Sequence, residues 1–95
     1  MLFAIFCEDK PGALPLRLEN RPAHLEFLTG LGDTLKLAGP FLGEDDKPVG
    51  SMLVVDAENA DGAKTIAAGD PYAKAGVFAS TTVRRWNWTV KNPEA

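Results

Sequence analysis

Two short runs, Leu2-Phe3-Ala4-Ile5-Phe6-Cys7 and Met52-Leu53-Val54-Val55, are apolar at every position. A strand turns successive side chains to opposite faces, so a run with no polar residue reads as a strand covered on both sides. A sheet built on such strands needs material above it and below it. That requirement governs the reading of the rest of the chain.

Glu8-Asp9-Lys10-Pro11-Gly12 closes the first strand with turn chemistry, and the segment through Asn20 reads as a long connection carrying Leu14, Leu16, Arg17 and Leu18. Pro22 suits the first turn of a helix. His24, Leu28 and Leu31 then recur at i, i+4 and i+7, which predicts a helix from Pro22 to about Leu31 with His24 on its inward stripe. Leu35 to Leu42 reads as a second strand, and Gly39-Pro40 within it marks an edge position or a bulge. A charged turn, Glu44 to Pro48, leads into a third strand, Val49 to Asp56. Asn59 is placed to cap a second helix over Ala60 to Ala68, and Gly69 to end it. Asp70-Pro71-Tyr72 and a turn-like connector, Ala73 to Gly76, precede a long strand from Val77 to Val90 that carries Trp86 and Trp88 on one face. Residues 91–95 read as a loose tail of a single domain spanning 1–95.

The order β-α-β-β-α-β predicts an α+β, ferredoxin-like fold, a four-stranded antiparallel sheet with both helices on one face. The helices cover only that face, yet both apolar runs need cover on two. A second copy of the same sheet is the economical answer, so the chain is expected to be a homodimer through its open sheet face.

Composition narrows the partners. A net charge of −3 and a lone adjacent basic pair, Arg84-Arg85, which strand alternation sends to opposite faces, argue against nucleic acid. No run is long enough for a membrane span and no secretory leader opens the chain, so no membrane partner and a cytoplasmic location are expected. The single cysteine, Cys7, excludes an internal disulfide and reads as a small buried residue. One histidine without clustered cysteines gives too few ligands for zinc, and no glycine-rich phosphate loop is present, so neither metal nor cofactor is expected.

An inward-facing His24 needs a polar partner. Placed near a helix start, it would sit in a positive field that disfavours imidazolium and keeps the ring basic. A satisfied core histidine and a working base both fit that placement. Ser51, Tyr72, Arg17 and Arg21 are further candidates to border a small-molecule pocket, the arginines for an anionic ligand.

Arg21-Pro22-Ala23-His24-Leu25, Ala38-Gly39-Pro40, Gly50-Ser51 and Asp70-Pro71-Tyr72 with Ala75-Gly76-Val77, taken in that order, resemble the YciI-like family over nearly the whole chain. The resemblance implies a dimeric α+β barrel, the fold also seen in muconolactone isomerase-like proteins. It implies a histidine–aspartate pair in a pocket, here His24 and Asp70. The best-defined activity of the family, dehydrochlorination of a chlorinated hydroxyquinol, implies a lyase or isomerase that moves a proton on a small organic substrate. A carboxylate on one ring nitrogen would fix the tautomer and stabilise the imidazolium formed on proton uptake. The competing expectation is a non-catalytic ligand-binding or regulatory module on the same scaffold. A His24 walled in by leucines would favour that module, and a His24–Asp70 contact beside a cavity would favour the enzyme.

Overall fold

β1 (Leu2–Asp9) and β3 (Pro48–Asp56) take the two central places of a four-stranded antiparallel sheet ordered β2-β3-β1-β4, with β2 (Leu35–Leu42) and β4 (Phe78–Trp86) at the edges. The two apolar runs thus fill the positions with a neighbour on either side. The computed structural model describes residues 1–94. α1 (Leu14–Gly30), a single 3-10 turn (Gly32–Thr34), α2 (Ala60–Ala68) and α3 (Pro71–Ala75) complete the chain. Among the described residues no helix is long and apolar enough to cross a membrane.

Register decides the faces. Phe3, Ile5 and Cys7 of β1 lie beside Val55, Leu53 and Ser51 of β3, and this row turns toward the helices. There the apolar members pack with Ala63 and Ala67 of α2 into the main core, flanked by Leu28, Leu35, Ile66, Phe78 and Val83. The alanines of α2 let it approach closely over β1 and β4, whereas α1 leans on α3 and stands off the sheet. A gap is left between α1 and the β2–β3 side of the sheet, lined by α1, β2, β3 and Tyr72 of α3.

The opposite row, Leu2, Ala4 and Phe6 with Leu37, Phe41, Met52, Val54 and Trp86, has no helix over it. Ala4 and Val54 are nevertheless buried in the single chain, while Leu37 and Phe41 are exposed. Phe6 and Phe41 stack at 6.3 Å across β3, where Gly50 offers no side chain to separate them. A Cβ at Gly50 would run into the Cys7 carbonyl oxygen, so the close strand approach demands glycine there. Arg84 and Arg85 fall on opposite faces, as alternation requires.

Four local expectations are corrected. The first helix starts at Leu14 rather than at Pro22, because Pro15 is the proline that occupies its first turn. Pro22 is interior: its missing donor leaves the carbonyl of Leu18 without a helix partner, but Leu18 is exposed and water can serve it. His24 therefore sits deep in the helix, and the field of a helix N-terminus does not act on it. The connector after Pro71 is a short helix, α3, capped by the Asp70 side chain and ended by Gly76 in the left-handed conformation. β1 runs on to Asp9, two residues past its apolar run. Finally, β4 stops at Trp86, which pairs with Leu2 at the start of β1, so no neighbour remains to pair with Asn87 onward. Trp88 lies beyond the strand, its ring 5.6 Å from that of Trp86. The chain then runs back across the sheet, for Glu94 reaches Lys36 on the far edge strand at 3.0 Å. Of the tail at 91–95, Ala95 lies outside the described residues.

Candidate active site

The length of α1 brings Arg17 and His24 onto one inward face. They are separated by two helical turns and are the two buried polar side chains of that helix. α3 meets this face. Its cap residue, Asp70, is buried and accepts the Tyr72 backbone N–H at 2.9 Å on Oδ1. The same carboxylate meets His24 Nδ1 at 2.8 Å through Oδ1 and 3.0 Å through Oδ2. An ionised carboxylate only accepts, so Nδ1 carries the proton of the neutral ring and Nε2 the lone pair. Among the described residues every fully buried side-chain nitrogen or oxygen has a partner, and among the same residues Nε2 has none. Nε2 is therefore not sealed, and the opening beside it is the cavity that His24 lines.

Arg17 is tied down elsewhere. Its Nε and Nη2 donate to the two oxygens of Asp9 at 2.7 and 3.0 Å, and Nη2 also donates to Ser51 Oγ at 2.8 Å. Both partners of the ion pair are buried. Burial opposes the guanidinium charge, but the hydrogen bond and charge of Asp9 outweigh it and hold Arg17 above its ordinary range. Tyr72 fills the space between the two helix residues: its ring lies 3.9 Å from the His24 ring at 13° and 4.5 Å from the Arg17 guanidinium carbon. Burial pushes the Tyr72 phenol up, with the Arg17 charge opposing.

The cavity holds about 200 Å³. That is below the usual span for drug-sized ligands, and suits a single substituted ring. Ala38 and Pro40 of β2 pair with Leu53 and Ser51, so they face the cavity, and their small size keeps it open. Leu18 and Leu25 stand exposed at its α1 rim, with Arg21 between them. Arg21 has no ion-pair partner among the described residues. No three His, Cys, Asp or Glu side chains converge on a metal-sized site among those residues.

The six residues singled out from sequence all gather here. His24 and Asp70 touch, Arg17 and Ser51 are bonded to each other, Tyr72 lies against His24 and Arg17, and Arg21 borders the mouth. Five of them line the cavity; Asp70 stands behind His24. Asp9 went unread. With Arg17 placed on a connection rather than on the inward stripe of a helix, nothing demanded a carboxylate for it; a buried guanidinium does demand one.

A ferredoxin-like sheet of the dimeric α+β barrel class, with a paired histidine opening into a cavity between its first helix and edge strand, defines the kind of protein this is. The chain belongs to the YciI-like family: the model of the YCII-related domain matches residues 1–87. Protein YciI of Escherichia coli O6:H1 is 36% identical over 92 residues, covering 88% of this chain and 94% of the relative. An uncharacterized protein of Haemophilus influenzae is 38% identical over the same length and shares. Among solved structures, 5-chloro-2-hydroxyhydroquinone dehydrochlorinase (TftG) from Burkholderia phenoliruptrix AC1100, in complex with 2,5-dihydroxybenzoquinone, superimposes with a TM-score of 0.84 at 40% identity, covering 92% of this chain and 94% of that one. A NIPSNAP family protein from Agrobacterium tumefaciens, at 14% identity and a TM-score of 0.56 over 97% of this chain and 95% of that one, shares the fold alone.

Proposed function

We propose that this chain is a small cytoplasmic enzyme, working as a homodimer, that moves a proton on a single-ring organic substrate in a dehydrochlorinase-like lyase or isomerase reaction. The observation that carries the reading is His24, held through Nδ1 by Asp70 while Nε2 opens into a cavity of about 200 Å³. Neutral His24 takes a proton on Nε2 from an acidic O–H or C–H of the bound ring, and Asp70 stabilises the imidazolium so formed. Where chloride leaves with the electron pair released, the sum is loss of HCl; where the proton returns at another atom, it is isomerisation. Arg21 is the cation free to attract an anionic substrate, since Arg17 is neutralised by Asp9. Arg17 and Ser51 instead hold the inner wall. The dimer rests on the exposed Leu37 and Phe41 of the helix-free sheet face, and the cytoplasmic address on a free thiol at Cys7.

The test is chloride release from 5-chloro-2-hydroxyhydroquinone, the substrate named for the similar dehydrochlorinase, and from a panel of related chlorinated phenols. Turnover by the wild type and none by His24→Ala is expected. Binding of 2,5-dihydroxybenzoquinone with no turnover of any panel member would overturn the enzymatic reading in favour of a ligand-binding module.

A further inference from the structure

Asp70 fixes one atom of the His24 ring, and a single hydrogen bond leaves a ring free to swing about it. The surroundings remove that freedom through one residue. The Tyr72 ring lies parallel to the imidazole, 3.9 Å away at 13°. The Arg17 guanidinium carbon lies 4.5 Å from the same ring centre. Arg17 and His24 leave α1 two turns apart, roughly 10.5 Å along its axis, and both reach the Tyr72 ring, which is thus clamped by an imidazole and a guanidinium.

The guanidinium side of the clamp is itself immobile. Three hydrogen bonds, two to Asp9 and one to Ser51, tie Arg17 to the end of β1 and to the body of β3. The main chain of Tyr72 acts on the other member of the pair, because its N–H donates at 2.9 Å to the Asp70 oxygen that also meets His24 at 2.8 Å. One residue therefore holds both partners, the carboxylate through its backbone and the imidazole through its ring. The electron-rich face it offers His24 also favours the positive charge that appears there on proton uptake.

We propose that Tyr72 is the positioning residue of the His24–Asp70 pair: its ring, backed by the Asp9–Arg17–Ser51 cluster, sets the plane of the imidazole so that Nε2 faces the cavity. This extends the proposed proton transfer and rests on it for the kinetic readout alone. The role belongs to the ring face and not to the hydroxyl, so phenylalanine should replace tyrosine and an aliphatic residue should not.

The chain has one histidine, so its imidazole signals stand alone in an NMR spectrum of the full protein. In the wild type and in Tyr72→Phe, the His24 ring protons are expected upfield of free histidine, shielded by the stacked ring, with the proton of the neutral form on Nδ1. In Tyr72→Leu the upfield displacement disappears while Asp70 keeps the proton on Nδ1, and the ring protons show contacts to the cavity residues Leu28 and Leu53 from more than one orientation of the imidazole. Chloride release then falls about tenfold to a hundredfold in kcat with KM little changed, as for a base displaced by a fraction of an ångström to an ångström.

A folded Tyr72→Leu whose imidazole keeps the single orientation of the wild type would overturn the proposal, and so would a Tyr72→Phe that behaves like Tyr72→Leu. Should Tyr72→Leu fail to fold, the other two spectra decide, since unshifted ring protons in both would mean that no ring lies over the imidazole. None of the spectra needs a substrate. A wild type that releases no chloride therefore overturns the enzymatic reading while the stack is judged separately.

Discussion

Asp70 does two things with one carboxylate, capping α3 and holding His24. Asparagine caps a helix as well as aspartate does, so Asp70→Asn keeps the cap and removes the charge. Turnover is expected to fall on the order of ten- to a thousandfold while the fold survives. Asp70→Ala removes both, losing about 1 kcal/mol of capping and leaving the buried Nδ1–H unpaired for about 1–3 kcal/mol more. Urea unfolding of the two variants separates the contributions. Asp9 makes a second sharp case. Asp9→Ala leaves Arg17 buried and uncompensated, and a loss of about 3–5 kcal/mol is expected in the same measurement. Cys7 carries a pH prediction. Burial pushes its thiol from the ordinary 9.0 up to about 11, the neutral form being the one the core accepts. The unfolded chain releases this proton first, so the stability linked to the thiol is complete below pH 9 and is lost as the pH rises through 11. Melting temperatures measured across that window should decline less steeply in Cys7→Ala than in the wild type.

At the scale of elements, α1 is the odd one. It carries a proline in its interior, has no side-chain cap at Ala13, and leans on α3 instead of the sheet. An interior proline costs a helix about 3 kcal/mol, so Pro22→Ala should stabilise the protein by up to about that amount in thermal unfolding. It should also let the helix close the bond from the residue-22 N–H to the Leu18 carbonyl, two residues before His24, and lower turnover. A variant that gains stability without losing activity would show that the interrupted bond plays no part in aiming the ring. α2 follows the ordinary rules more closely. Asn59 accepts the Gly62 N–H at 2.8 Å, and Asn59→Ala should cost about 1 kcal/mol in urea with no effect on the cavity.

The whole molecule has one face without helices, and its edge-strand residues Leu37 and Phe41 are 37% and 40% exposed. A homodimer through that face gives a light-scattering mass about twice 10.2 kDa. Phe41→Glu is the discriminating change. It places a charge where the single chain is already open to solvent, so the subunit should stay folded while the mass falls to that of one chain. Val54→Asp is a harsher probe, because Val54 lies on the same face but is fully buried within its own chain. Phe3→Asp tests the core under α2, since Phe3 turns toward the helices.

Strand alternation and turn residues are local, and they were legible in the chain. The two apolar runs lie at the centre of the sheet, Gly39-Pro40 on an edge, Asn59 at its cap, and α2 over Ala60–Ala68. The start of α1 was not legible, because two prolines seven residues apart both fit a first turn, and only packing against α3 selects Pro15. That choice moved His24 from a helix end to a helix interior and carried Arg17 onto its face. Which residues would be singled out was readable from residue type and from family motifs. How they are bonded was not. Asp9 and Arg17 are eight residues apart, Arg17 and Ser51 thirty-four, and His24 and Asp70 forty-six. Such distances carry no periodicity to read, and they are closed only when β1, β3 and α3 converge on one face of α1. Burial then confines each polar group to the few partners those elements bring within reach.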